Sequence, residues 1–586
     1  MNTKKTARSL RGQSLSNPGG GAKKTARRLG NSKARRLIAR MAASPQVFPE
    51  RTRETQRAAL VLSQTSLRRK RGVLARRKSF VLPRSLPRNQ PFEDFGGLAG
   101  RANVIACAPG LREVVMRSPR LMKRAKELAT HVFFSLETPS VSGEEFPFHA
   151  SADTRIDFDR FRPDERRRER IIDALLARGF SLVHKGIFST SFEGPYKLFQ
   201  EHLGIKLCLY AASLTDVTDS TVSRRFEQPT EDMLFLAPLD KPDRIVTIEG
   251  VGSLEFSPPT IYSAAARQIS STPPHIPNRY LDALSIRRHL NIPDDGPTGK
   301  GIVVAMIDSG FWDHPYFARY RYRPQPTGGC PFPGIDQYGH GTAMAMNFFV
   351  VAPDATLLGF QQIRALPDVA FDSALQAGAK IISCSWGVAP HRQLTKLIRY
   401  AVSQDRIVLF AAGNGHIQWP GNMDEVISVG GVHIDDQDVK HASKIANGYV
   451  TAGGRNVPDV CGLAGREPYG IYILSPTQPG SFLDKTHASL PPPDCDYTDP
   501  DDGWVGIGGT SAATAQLAGI VALLFEKAED RVGKNSLDQQ EVISILRASS
   551  RDVFKGVSAQ GNPAGPKPSI ACGFGFVDAA AALAQV

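Results

Sequence analysis

Nowhere in the 586 residues do about 18 apolar side chains run in succession, so no helical membrane span is expected. Cysteine is scarce. The seven lie at 107, 208, 330, 384, 461, 495 and 572, dispersed, odd in number and without a C-x-x-C pair. That spacing argues against a disulfide framework and against a cysteine metal site, and it suits a reducing compartment. The N-terminus is basic but has no apolar stretch of the kind a secretory signal needs, which gives a cytoplasmic expectation. Its length and its Gly-Gly-Gly and Asn-Pro breaks set aside an organelle transit sequence. Acid is nearly missing from one part of the chain: residues 1–90 hold 24 Lys/Arg and 2 Asp/Glu. The formal net charge of +15 therefore belongs to this tail, and the remainder carries −7.

Within the tail, Lys4-Lys5-Thr6-Ala7-Arg8 recurs as Lys23-Lys24-Thr25-Ala26-Arg27, around a Ser/Asn/Pro/Gly segment, Ser14 to Gly21. Arg68-Arg69-Lys70-Arg71 and Arg76-Arg77-Lys78 follow. Such charge density with few apolar residues does not fold alone, and a disordered basic tail is expected over 1–90. A solvated extension is the plain reading. A sequence-independent contact with nucleic acid or another polyanion is the functional one. Aromatics for base stacking are nearly absent, only Phe48 preceding Phe80.

Residues 91–212 have the pattern of a small α+β domain. His131–Leu136 reads as a strand, Asp164–Arg178 as a helix with Ile171, Ile172, Leu175 and Leu176 at helical spacing, and Phe180–Phe192 as one or two strands. A short helix over Gly194–Leu203 and a strand over Ile205–Tyr210 complete one sheet with helices on a face. Residues 213–284 read as a linker or extension. Ile245-Val246-Thr247-Ile248 is a candidate strand there, and Pro258-Pro259 and Ser270–Pro277 are exposed linker signals.

Residues 285–586 alternate short, nearly continuous apolar runs with helical patterns. Candidate strands are Ile302–Ile307, Thr356–Phe360, Ile381–Ser385, Ile407–Ala412 and Val426–Val429, and candidate helices are Asp368–Ala377 and Gln393–Gln404. Runs of that kind are strands buried on both faces of a parallel α/β sheet flanked by helices. Functional groups collect at the carboxyl ends of such strands. Asp308 stands there, directly after Ile302–Ile307, where a turn-former is the plain alternative. His340 lies between two glycines at the head of an Ala/Met-rich helix, where a packed helix-start residue is the alternative. Ser511 follows Gly508-Gly509-Thr510 at the start of an Ala/Leu-rich helix. A serine there meets free backbone N–H groups and the positive end of the helix dipole. A simple N-cap is the plain reading of that serine.

Asp, then His, then Ser on Gly-Thr-Ser is the chain order of the subtilisin triad. Over about 285–586 the sequence resembles the subtilisin-like (subtilase) serine peptidase family. Val304–Gly310 followed by His314-Pro315 matches its aspartate motif, Gly339–Thr342 its histidine motif, and Ala411-Ala412-Gly413-Asn414-Gly415 its oxyanion segment. Trp419-Pro420, Val426–Val432, Pro458-Asp459-Val460 and Gly573–Ala579 match the segments that follow in order. The middle domain, by position and pattern, resembles the pro-region of subtilisin-type or sedolisin-type proteases, which assists folding and blocks the cleft.

The resemblance implies a serine endopeptidase that is autoprocessed or self-inhibited, with any cut between about 255 and 285. Ser511 would attack the peptide carbonyl, His340 would carry the proton, and Asp308 would hold the imidazole. The Asn414 amide and the Ser511 N–H would stabilise the oxyanion. Ser385, Trp386 and Gly387, with Ala412 and Gly413 opposite, would bind the peptide and wall a pocket for apolar or bulky groups. Two departures stand out: Ala343 where a second histidine is usual, and Ala515 where proline is usual. Residues 466–504 look like an insertion near the cleft. Asp494, Asp496, Asp499, Asp501 and Asp502 there could bind Ca2+, as family members often do, but an acidic solvated loop reads better and no metal ligand set is assigned. The rival reading is a catalytically weak subtilase fold that binds a polyanion through its basic tail.

Overall fold

The structure is a computed structural model that describes residues 105–106 and 111–586, apart from 153, 212–233, 239–253, 257–278, 328–332, 363–366, 389, 416–417, 436, 466–470, 490–494 and 533–536. The basic tail, the candidate strand Ile245–Ile248, the two linker signals and Asp494 lie outside the described residues.

Each continuous apolar run becomes a strand of one central sheet. These are β5 (Val303–Asp308), β6 (Thr356–Gln361), β7 (Ile381–Cys384), β8 (Ile407–Ala411), β9 (Ile427–Ile434) and β10 (Val460–Leu463). Their order is β6-β5-β7-β8-β9-β10, every neighbouring pair parallel. The reason for the unbroken apolar pattern is visible in β5. Val304 and Met306 join the core on one face, and Ala305 and Ile307 join the core on the other. Beyond β9 the sheet is mixed, because Lys440–Ala442 adds to β9 antiparallel.

Helices cover both faces. One face carries α4 (His340–Phe349) and α8 (Thr510–Val532), whose Ala and Gly positions allow close approach: a Cβ at Gly519 would lie 2.7 Å from Val351 Cβ. Ala515 sits inside α8 and is fully buried. Proline there would lose its N–H and crowd the Ser511 carbonyl, so alanine lets the helix run without a break. The other face carries α5 (Pro367–Gln376) and α6 (Arg392–Ser403), the latter burying Leu394, Leu397, Ile398 and Ala401 at helical spacing.

The N-terminal module is built on β1 (Val132–Glu137), β2 (Ser181–Lys185), β3 (Ser189–Gly194) and β4 (Leu254–Glu255), in the antiparallel order β2-β3-β1-β4. The Phe180–Phe192 run thus divides into two strands. Its helices α1 (Pro119–Thr130), α2 (Glu165–Leu176) and α3 (Tyr196–Leu203) pack on one face through Phe134, Phe180, Phe192 and Phe199. The strand expected at Ile205–Tyr210 forms as Leu207–Ala211, but in a separate three-stranded sheet with Ile105–Ala106 and Leu234–Pro238. Cys208 in that strand is disulfide-bonded, against the expectation drawn from cysteine spacing; its partner lies outside the described residues.

The other face of the module's sheet rests on α5 and α6. Ser135 donates to Asp368 Oδ2 at 2.7 Å, and His184 Nε2 lies 2.6 Å from Asp372 Oδ2. Lys396 of α6, 2% exposed, pairs with Glu137. Breaking a buried pair of this kind by removing one partner costs about 3–5 kcal/mol. Glu255 accepts from the Arg392 and Gln393 N–H groups at 2.5 and 3.0 Å and so caps the N-terminus of α6.

Candidate functional site

Asp308 is the last residue of β5, Ser385 follows β7, and Ala412-Gly413-Asn414 follows β8. These strands are neighbours, so the three segments emerge side by side at the carboxyl edge of the sheet. His340 opens α4 and Ser511 is the second residue of α8. A fully buried polar tie aligns the two helices: Gln516 Nε2 donates to Asn347 Oδ1 at 2.9 Å.

Asp308 Oδ1 lies 2.7 Å from His340 Nδ1 and also accepts the Ser309 N–H at 2.7 Å. Asp308 is completely buried and His340 is 3% exposed. A proton on Nδ1, held by the carboxylate, leaves Nε2 as the basic nitrogen of the neutral ring. Asp336 braces the loop before His340. It accepts from Ser309 Oγ, the Gly339 N–H, the Thr342 N–H and Thr342 Oγ1, all at 2.7–2.8 Å. Burial pushes its pKa up, while the Thr342 and Gly339 bonds pull it down.

The expected insertion holds the same loop from outside. It is built from β11 (Ile471–Pro476), α7 (Phe482–Ala488) and β12 (Trp504–Ile507), with β11 and β12 antiparallel. Thr477 Oγ1 donates to Gly339 O at 2.9 Å, and Gln478 Oε1 accepts the Asp336 N–H at 2.6 Å. The Phe482 and Leu483 N–H groups donate to Gln337 O and Tyr338 O at 2.9 and 3.0 Å.

The serine turn is fixed to Asn414. Asn414 Oδ1 accepts from Thr510 N and Thr510 Oγ1 at 2.9 and 3.0 Å, so the donor end of the amide turns toward Gly509. Gly509 has φ +141°, and a Cβ there would lie 2.7 Å from Asn414 Nδ2. Only glycine combines that conformation with that approach. Among the described residues, Ser511 Oγ donates to Ser385 O at 3.0 Å and not to His340, while Ser385 Oγ donates back to Ser511 O at 2.9 Å.

Asn447 sits behind the Asn414 segment. Its Nδ2 donates to Ala412 O at 2.7 Å, its backbone N–H donates to Gly413 O at 2.9 Å, and its Oδ1 accepts from Gly415 N at 3.0 Å. The Trp386 indole is fully buried in the core, donates to Ile307 O at 2.8 Å and packs edge-on against Phe410. Two residues on, Val388 N donates to Trp419 O at 2.8 Å.

Sequence reasoning missed Ser309, Asp336, Asn447 and Gln516. Their bonds mostly reach across long sequence separations, and no local pattern marks them. Among the described residues no group of three or more His, Cys, Asp or Glu could hold a metal ion. Two of the acids weighed for Ca2+ and set aside, Asp496 and Asp502, accept backbone N–H groups nearby: Asp496 from Thr498 and Gly506, and Asp502 from Asp499 and Trp504. Asp496 is 1% exposed and not solvated as expected. Among the described residues no helix is long and apolar enough to cross a membrane.

Residues 299–575 match the model of the subtilase family. The chain is similar to M-protease of Shouchella clausii strain KSM-K16, 27% identical over 304 residues, which covers 48% of this chain and 67% of that protein. It is similar to a calcium-dependent protease of Nostoc sp. strain PCC 7120, 29% identical over 223 residues, which covers 31% of this chain and 33% of that protein. Among solved structures, fervidolysin of Fervidobacterium pennivorans, a keratinolytic enzyme related to subtilisin, aligns with TM-score 0.46 at 16% identity. That alignment covers 78% of this chain and 61% of the other. The matched stretches thus cover from about one third to about two thirds of the length of these three proteins.

Proposed function

We propose that this chain, whose residues 299–575 form a domain of the subtilase family, is a serine endopeptidase acting through Ser511, His340 and Asp308. The observation that carries the proposal is the buried 2.7 Å contact between His340 Nδ1 and Asp308, at the strand edge where the helix of Ser511 begins. The Ser511 hydroxyl turns from Ser385 O to His340 Nε2 as substrate enters, since such bonds commonly form only in the complex. His340 then takes the proton and returns it to the leaving amine, and Asp308 stabilises the imidazolium. The Asn414 amide and the Ser511 N–H donate to the oxyanion. An extended peptide pairs with the backbone of Ser385-Trp386-Gly387.

The N-terminal module acts as a built-in inhibitor and folding aid. Its support is Glu255, which caps α6 just beyond the Ser385–Gly387 edge. Residues 1–90, outside the described residues, make an electrostatic contact with a polyanion, on charge alone. Two calcium-dependent relatives raise Ca2+, but the described acidic residues do not fit such a site and no step depends on it.

The test is hydrolysis of an unfolded protein substrate by the purified chain and by Ser511→Ala. Cleavage by the first and none by the second is expected. Equal products from both, or none from either after the N-terminal module has been trimmed away, would refute the proposal.

A further inference from the structure

Gln418 lies between the two segments read as walls of the first substrate pocket. A Cβ at Gly387 would lie 2.7 Å from Gln418 Nε2, and a Cβ at Gly413 would lie 2.6 Å from Gln418 Oε1 and 2.7 Å from Gln418 Cβ. The amide therefore spans the gap from wall to wall, in space that two glycines leave open. Gly413 has φ +100°, which a side chain would resist in any case. Gln418 is only 4% exposed, and its Oε1 has no hydrogen-bond partner among the described residues. The next residue, Trp419, accepts the Val388 N–H, so the backbone carrying Gln418 is tied to the Gly387 wall.

A buried amide oxygen without a donor is costly, and a substrate group that supplies the donor removes the cost. The same amide occupies the depth that a large side chain would need. We propose that Gln418 is the floor of the pocket for the residue on the acyl side of the scissile bond. It selects short side chains that donate a hydrogen bond, namely serine, threonine and asparagine, over aromatic and long aliphatic ones. This rests on the peptidase reading above, and it replaces the expectation of a pocket for bulky groups. Sites built around a hydrogen bond discriminate more sharply than apolar slots, because the wrong substrate leaves a buried polar group unpaired.

The experiment uses the full chain, Gln418→Gly and Gln418→Glu, with peptides that differ only before the scissile bond (Asn, Ser, Leu, Phe or Lys). The wild-type chain is expected to cleave after Asn or Ser at least about 10-fold faster, in kcat/KM, than after Phe. Gln418→Gly should bring Leu and Phe to the front. Gln418→Glu keeps the size and should bring Lys forward, so it reads the pocket even where the glycine variant does not fold. A small fluorophosphonate, which reports on the serine without filling the pocket, is titrated against each protein. Labelled proteins with one unchanged profile, or a wild-type chain that prefers Phe, overturn the assignment of Gln418 alone. A wild-type chain that takes no probe even after its N-terminal module has been trimmed away overturns the peptidase reading and this inference with it.

Discussion

Asn447 touches neither Ser511 nor the Asp308–His340 pair by any bond described above, yet it fixes the backbone on both sides of Asn414. The two asparagines should separate in kinetics. Asn414→Ala removes a donor to the developing oxyanion, and kcat should fall on the order of 10²–10³-fold with little change in KM. Asn447→Ala loosens the segment that, on the proposed reading, also walls the pocket, so it should lower kcat less and raise KM. Steady-state kinetics on one peptide substrate check both; a KM effect confined to Asn414→Ala would reverse the assignment. The contrast also marks what single residues reveal in sequence. Asp308, His340 and Ser511 are legible because glycine or a small neighbour must stand beside them for the backbone to approach. Asn447, Asp336 and Gln516 carry no such mark, for their partners are fixed only once the sheet has assembled.

Two buried histidines at helix ends tie local structure to pH. His314 caps the helix Pro315–Tyr320, its Nδ1 accepting the Tyr316 N–H at 3.0 Å, and His289 lies in the last turn of the helix Ala283–Leu290. Burial lowers the pKa of both; at His289 the charge of Arg288 adds to the effect. Below an ordinary imidazole value of about 6.5 the unfolded chain takes up protons that the folded chain refuses, so stability falls as pH falls. Thermal melting followed from pH 7.5 to 5.5 should show that decline, and His314→Gln should make it shallower. A His314→Gln slope equal to the wild-type slope would contradict the account. At this scale most elements follow from pattern, because strands buried on both faces and helices with one apolar stripe leave distinct periods. The split of Phe180–Phe192 and the antiparallel edge at Lys440–Ala442 do not: each is a local hairpin, with Lys185 opposite Thr190 and Ile434 opposite Lys440, and strands this short leave too few residues to show a period.

At the scale of the molecule the account is one of separate parts with separate chemistry: a basic segment, a small α+β module seated on α5 and α6, and a parallel sheet that brings Asp308, His340, Ser385, Asn414 and Ser511 to one edge. The order of short motifs made that last arrangement legible, whereas the docking face of the module was not. It is mixed: Phe158 and Phe188 pack on Tyr400, but the strands meet α5 and α6 through Ser135, His184, Glu137 and Glu255, and polar residues on a strand read from sequence as solvent-facing. The central claim is that Ser511 is the one serine made nucleophilic by its surroundings. The measurement that tests it most directly is peptide mapping, by mass spectrometry, of the folded chain after reaction with a fluorophosphonate. An adduct on Ser511, lost in His340→Ala and after heat unfolding, is predicted. An adduct on another serine, or one on Ser511 that survives in His340→Ala, would contradict the claim.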